Sequence, residues 1–384
     1  MKFLHLADLH IGKVVNGFNL IEDQRHVLEE LLAISRDSHV DAIVIAGDVY
    51  EKQNPSAEAV ELVDWLLTEI ASAQIECMIV PGNHDSAERM GFGSHIFARN
   101  GIHIARRFDG HVERVTLADG DGPVTFWLLP FIRAFEVRHH FPDAQIGTDV
   151  SCALKTVFEA DPPDSAMRNV LVAHQFVSFA SFKPELSESE VTVGGLDEVD
   201  GAIFSDFDYV ALGHIHKSQA VGSAFMRYAG SLLKYSFSEA RDNKQFPLVT
   251  LGRKGDVDIT TVSCTPLHDM REISGPFERL ISPEVVASEP ADDYLHVTLT
   301  DPHPILDALQ KMRLHYPNVM SLDYRSDIER ANREHPELTA AQSRENAFEL
   351  FERFFEKQYG QPLTTLQRTK AQEALEHAFR EELR

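Results

Sequence analysis

AIVIAGDVY, residues 42–50, runs five apolar residues straight into a glycine and an aspartate. A short unbroken apolar run closed by a turn reads as a strand buried on both faces. The same grammar recurs in FLHLADLH at 3–10, CMIVPGNHD at 77–85, VLVAH at 170–174 and YVALGHIH at 209–216. Between the first of these runs lie helical spacings at 20–35 and 57–70, whose apolar residues return at three and four positions. An alternating β/α arrangement follows.

Further along the chain, strand-like segments at 112–117, 124–129, 224–229 and 246–251 predict a second sheet layer. Residues 266–276 read as a loop. A strand at 294–299, a helix at 304–316 and a strand at 319–324 then predict a small α/β domain. From Pro336 the pattern is helical. It opens with a capping box at Thr339 and Gln342, which would satisfy two backbone donors reciprocally. Apolar stripes follow through Leu350, Phe351, Phe354 and Phe355, and through Ala371, Leu375, Ala378 and Phe379. The expected domains are 1–265, 276–328 and 336–384.

With 384 residues the chain has room for two to three domains. Thirty-six Lys and Arg against 60 Asp and Glu leave a formal charge of -24, the reverse of the basic footprint of electrostatic DNA binding. Any contact with nucleic acid must be local, assisted by metal or shared with a partner. Three distant cysteines fit neither a disulfide framework nor a CxxC zinc site, so a reducing compartment is expected. MKFLHLADLH is interrupted by His5 and Asp8 and does not read as a signal peptide. No apolar run approaches 18 residues, so no membrane span and a cytoplasmic location are expected.

The chemistry sits at the carboxyl ends of the five runs, where open α/β sheets bind their ligands. They supply Asp8, His10, Asp48, Asn83, His174, His214 and His216, an oxygen and imidazole set without thiolate. Such donors suit a divalent ion such as manganese better than structural zinc. Seven are too many for one tetrahedral ion but serve two if Asp48 bridges. Paired ions can activate a water and clamp the attacking and leaving oxygens of a phosphoryl displacement.

In this order DxH, GD, GNHD, a lone His and GHxH resemble the calcineurin-like metallophosphoesterases, whose two-sheet sandwich flanked by helices is the fold implied. AHQFVS at 173–178, VGGLDEVD at 193–200, ALGHIHK at 211–217 and AGS at 229–231 are similar, more narrowly, to the bacterial SbcD nuclease subunits. The resemblance implies a small capping domain and a helical tail that binds SbcC, a coiled-coil ATPase. It assigns Asp8, His10, Asp48 and His216 to one Mn²⁺, and Asp48, Asn83, His174 and His214 to the other. His84 takes the catalytic position, as stabiliser of the transition state or acid for the leaving alkoxide. Glu51 stands where some relatives carry histidine, and is expected to orient His84 through its carboxylate. The implied activities are ATP-dependent exonuclease action on double-stranded DNA and endonuclease action on single strands and hairpins. A homodimer within a heterotetramer is implied as well, with helix 57–70 the suspected contact.

Plainer readings stand beside these. His5, His26, His103 and His315 read as ordinary core or surface residues, and Asp85 as a turn cap. Arg89, Lys217, Lys234 and Arg241 could contact phosphate, though solvated charge is commoner. The terminal stripes could cover the chain's own core. No P-loop occurs, so ATP dependence would come from the partner. Two other functions stay open: hydrolysis of a phosphodiester other than DNA, and a DNA-end-bridging scaffold with little hydrolysis.

Overall fold

The computed structural model describes residues 1–179, 182–187 and 198–325, together with Glu352, Phe355, Leu363, Thr364, Gln367, Arg368, Lys370 and Ala371. The segments up to 325 form one compact unit, and the scattered later residues belong to a second. In that second unit the Thr364 N–H donates to Gln367 Oε1 at 3.0 Å while Gln367 N–H returns to Thr364 Oγ1 at 3.4 Å. This reciprocal pair is a capping box. The capping box expected at Thr339 and Gln342, most of the tail at 336–384, and 193–197 of the VGGLDEVD run lie outside the described residues.

Two six-stranded sheets make the body of the first unit. One runs in the order Val257–Ser263, Gln245–Leu251, Lys2–Leu6, Ala42–Ala46, Glu76–Val80, Ile102–Ile104. The other runs Gln219–Val221, Ser223–Tyr228, Tyr209–Gly213, Arg168–His174, Gly122–Leu129, Glu113–Asp119. Side chains alternate across a strand, and this sorts the apolar runs into two cores. Phe3, Ala42, Val44, Met78, Val80, Phe126, Val170, Val172, Tyr209 and Ala211 face the other sheet. Leu4, Leu6, Ile43, Ile45, Cys77 and Ile79 point outward, under the helices Ile21–Asp37 and Ala57–Ser72. Leu171, Val210, Leu212, Trp127 and Leu129 do the same on the far side, beneath the helix Val150–Ala160. The result is a two-sheet sandwich flanked by helices. Each buried Leu or Ile in it contributes roughly 1.5–3 kcal/mol.

The two sheets come close at the carboxyl ends of their central strands, where the facing residues are small. A Cβ built on Gly213 would lie 1.8 Å from the Ala46 carbonyl oxygen, so only glycine fits where the strands Ala42–Ala46 and Tyr209–Gly213 meet. Lys2–Leu6, Ala42–Ala46 and Glu76–Val80 are parallel neighbours, as are Arg168–His174 and Tyr209–Gly213. Their carboxyl ends therefore emerge at one edge of the sandwich.

A three-stranded parallel sheet, Met270–Gly275, Tyr294–Leu299 and Val319–Tyr324, forms a separate core with Leu280, Met312 and Tyr316. Its first strand falls inside the stretch read as a loop. MREISG is an edge strand half open to solvent, so Arg271 and Glu272 interrupt its apolar pattern and hide it from a periodicity reading. The helix expected at 304–316 is shorter, Ala308–Arg313.

Candidate metal centre

The loops leaving the strand ends are bent hard. Asp8, His10 and Asp48 have φ of 51°, 45° and 48°, and His214 reaches 100°. Non-glycine residues visit this left-handed region at a cost of order 1–3 kcal/mol and cluster there at functional sites. Hydrogen bonds between loops hold the bends: Asp8 N–H to Gly47 O at 3.0 Å and His10 N–H to Asp48 O at 2.9 Å. Gly47 itself has φ of 87°, and a Cβ on it would fall 2.1 Å from His174 Nδ1. The buried carboxylate of Asp85 accepts the N–H groups of Val49, Tyr50 and Gly82 at 2.9–3.0 Å, tying the GD and GNHD loops together. That is the turn-capping role. Burial and the nearby Asp48 carboxylate push Asp85 up to about 6.

All seven expected ligands meet at this edge, in two overlapping groups. His10 Nε2 and His216 Nε2 face each other at 3.2 Å, with donor atoms of Asp8, His10 and His216 all within 4.8 Å. Asn83 Oδ1 lies 3.0 Å from His174 Nε2 and 3.1 Å from His214 Nδ1. Asp48 Oδ2 sits between the groups, 3.2 Å from His174 Nε2 and 3.7 Å from His10 Nε2. Both carboxylate oxygens of Asp8 accept the His214 N–H, at 2.9 and 3.1 Å.

The electrostatics favour bare ring nitrogens at three of the four histidines. Burial pushes His214 down to about 3, with His174 beside it adding to the effect. Burial also takes His216 to about 4 against the upward pull of Glu239, and lowers His10. For His174 burial is outweighed by the Asp48 and Asp8 carboxylates, which lift it to about 9. Asp48 is held well below the carboxylate range by His174 and His10 despite burial. A cation entering here would displace the proton shared by His174 and Asp48, the usual coupling of metal affinity to pH.

Whether the donors fit metal can be judged from their lone pairs. The Ala46 carbonyl can only accept, so His174 carries its proton on Nδ1, 2.9 Å away, and presents a bare Nε2 when neutral. That lone pair points at two oxygen acceptors, Asn83 Oδ1 and Asp48 Oδ2. His10 and His216, whose Nδ1 atoms face carboxylates, likewise bring two Nε2 lone pairs together. Acceptors crowded against acceptors need a cation or a proton between them. Hard oxygen and imidazole donors in this number suit two divalent ions.

His84 lies at the rim, its ring edge-on to His10 with centroids 4.8 Å apart. Its N–H donates to Asp48 Oδ1 at 2.8 Å. Its Nδ1 is 3.0 Å from the main-chain oxygen of Glu51. This corrects the expectation for Glu51, which meets His84 through its backbone. The Glu51 carboxylate is 2.9 Å from His10 Nδ1 and 3.0–3.1 Å from Lys13 Nζ. The ammonium and the buried imidazole together outbid His84 for the carboxylate. Burial works against ionisation of Glu51, yet His10 and Lys13 hold it down at about 2.

Several supporting residues have no signal in motif spacing. Glu239, 1% exposed, stands 3.6 Å from His216 Nδ1 and is paired with Lys244 at 2.6 Å. Lys244 also donates to His216 O at 2.9 Å and to Ser231 Oγ at 2.7 Å. Gln24 is fully buried, donating to Leu9 O, His10 O and Tyr235 Oη and accepting from Gly12 N–H. Of these only Ser231, in AGS, stood in a recognised run. A buried amide in a helix otherwise patterned for the core was the one available hint of Gln24. Gln24→Leu should leave the Gly12 N–H unpaired, at about 1–3 kcal/mol, while Leu9 O keeps Tyr235 Oη and His10 O keeps the Lys13 N–H. Urea unfolding of the metal-free protein should show that loss, and an unchanged midpoint would refute it.

The family profile described as calcineurin-like phosphoesterase matches residues 1–218, and one described as type 5 capsule protein repressor C-terminal domain matches residues 266–359. A relative from Staphylococcus epidermidis, named as the SbcD component of the nuclease SbcCD, is 31% identical over 381 residues, covering 98% of each chain. A dimetal phosphatase from Danio rerio superposes with a TM-score of 0.39 at 11% identity, covering 68% of this chain and 98% of its own. A structure titled as a 5′-nucleotidase from Staphylococcus aureus gives 0.38 at 12% identity, covering 70% of this chain and 54% of its own. By a family profile over residues 1–218 and a relative 31% identical over nearly the whole of both chains, the chain belongs to the calcineurin-like phosphoesterase family, in the branch of the SbcD nuclease proteins.

Proposed function

We propose that this chain is the nuclease subunit of an SbcCD-like DNA-repair complex, hydrolysing DNA phosphodiesters with two divalent ions, Mn²⁺ by preference, in the cytoplasm. The observation that carries the reading is Asp48 Oδ2 lying between two donor groups, 3.2 Å from His174 and 3.7 Å from His10. Asp8, His10, Asp48 and His216 would hold one ion, and Asp48, Asn83, His174 and His214 the other. When bound, such a pair polarises the phosphate and lowers the pKa of water towards 7. His84 is the chain's own proton carrier. With Nδ1 committed to the Glu51 carbonyl, its protonated form offers Nε2–H to the departing alkoxide.

The activities proposed are exonuclease cutting of double strands with ATP supplied by the partner, and endonuclease cutting of single strands and hairpins. A net charge of -24 leaves phosphate recognition to the ions and to a few basic side chains. Lys217 and Lys234 are paired with Glu185 and Asp269. Arg241 is the better candidate, because it lines an open cleft of about 710 Å³ together with Tyr235, whose ring stacks edge-on to His10 and His216.

Three bodies are proposed along the chain: the nuclease domain over 1–265, the small α/β capping domain over 276–328, extended back to its strand at Met270, and the partner-binding tail over 336–384. No helix among the described residues is long and apolar enough to cross a membrane. A homodimer through Ala57–Ser72 is proposed on the exposure of Val60 there and of Phe92 and Ile96 after the GNHD loop. Sedimentation of the full chain at monomer mass would reject it.

The test of function is cleavage of a DNA hairpin by the purified chain with Mn²⁺, beside turnover of a chromogenic phosphodiester. Turnover of the small ester with DNA left intact would refute the DNA reading. Deleting residues 336–384 should preserve single-strand cleavage while abolishing co-purification with the coiled-coil ATPase. Retained binding would reject the tail's role.

A further inference from the structure

The two halves of the centre are backed differently. Behind His10 stands Glu51, its carboxylate 2.9 Å from Nδ1 and paired with Lys13 at 3.0 Å. Behind His216 stands Glu239, 3.6 Å from Nδ1 and paired with Lys244 at 2.6 Å. His174 instead gives Nδ1 to a neutral backbone acceptor, Ala46 O at 2.9 Å, with the Asp8 carboxylate farther off at 3.9 Å, and His214 turns Nδ1 inward to Asn83. The charge differs too. Asp8 and the shared Asp48 serve the half with His10 and His216, whereas the other half has Asp48 and the neutral amide of Asn83.

A carboxylate beside the outer nitrogen of an imidazole favours the tautomer that aims Nε2 at the metal. It also makes that nitrogen a stronger donor, and losing such a partner typically weakens metal binding ~10–100-fold. Each lysine keeps its glutamate in place, so the backing pair adds orientation with little net charge.

We propose that the Glu51–Lys13 and Glu239–Lys244 pairs are positioning residues that make the Asp8–His10–His216 half the tight half of the centre, filled first, while the Asn83–His174–His214 half fills second. This rests on the two-ion reading above and assigns an order to it. The consequence is functional: at limiting metal the chain holds one ion, and its activity follows the filling of the Asn83 half.

The experiment is a Mn²⁺ titration of the full-length metal-free protein, read by calorimetry and by loss of the free-ion paramagnetic resonance signal. Wild type should bind in two resolved steps. Glu51→Gln and Glu239→Gln should each weaken the tighter step ~10–100-fold, and Asn83→Ala should abolish the weaker step and spare the tighter. Because Glu239→Gln leaves the Lys244 charge without its carboxylate, the double variant Glu239→Gln, Lys244→Met is titrated as well. Its tighter step should weaken by the same factor. Simultaneous filling in wild type, or glutamate variants that weaken the looser step or neither, would overturn the proposal. If two ordered steps appear and no DNA is cut, the nuclease reading fails and this one stands. If DNA is cut and the glutamate variants bind Mn²⁺ as wild type does, this one alone fails.

Discussion

Asp48→Asn is expected to remove nearly all Mn²⁺-dependent cleavage of a DNA hairpin. The side chain keeps its volume, so the 2.8 Å hydrogen bond from His84 N–H to Oδ1 can survive. What goes is the one negative charge that both donor groups share. Loss of a shared metal ligand removes several kcal/mol of transition-state stabilisation, and each 1.36 kcal/mol is tenfold in rate, so a fall of ~10³-fold or more follows. The variant also loses the charge that lifts His174 to about 9, which eases proton competition there. Loss of the shared anionic ligand outweighs that gain, so Mn²⁺ binding should weaken in both halves of the centre, which the same calorimetric titration would read directly. Cleavage within tenfold of wild type would reject Asp48 as the bridge.

His84→Gln is expected to separate catalysis from metal binding. Its imidazole bonds the Glu51 carbonyl at 3.0 Å from the rim, and the link to Asp48 is made by its backbone N–H. Glutamine keeps that backbone bond, so the Mn²⁺ titration should match wild type. Losing an acid–base group typically costs ~10²–10⁴-fold, and the loss should fall on kcat with KM for the DNA little changed. A variant that lost Mn²⁺ in proportion to its rate would make His84 a metal ligand. Full retention of kcat would remove it from the reaction.

Glu51 marks where the sequence reading stopped. Spacing placed it three residues after Asp48, near the centre, but could not say which histidine its carboxylate would meet. That choice is made by the bend at Asp48, φ 48°, and by Lys13 arriving from another loop. Glu239 and Lys244 were out of reach for the same reason. They lie more than twenty residues beyond GHIH and come to His216 through a fold of the chain that no periodicity records. Met270–Gly275 was missed on a different ground, since an edge strand carries charge on its open side.

The sequence by itself determined the buried strands and the polar donors at their ends, and its motifs brought the sandwich by family resemblance. Strands buried on both faces must be written as unbroken apolar runs, and the turns that end them must carry the polar residues, so AIVIAGD and its four counterparts announce both at once. Only the tertiary structure decided who stands behind whom. Support for an imidazole is a matter of 2.9 Å contacts, between neighbouring loops for His10 and Glu51 and between segments as far apart in the chain as Ala46 and His174, the latter made by the close approach of two sheets at Gly213 and Ala46. Local order in the chain carries no record of that approach.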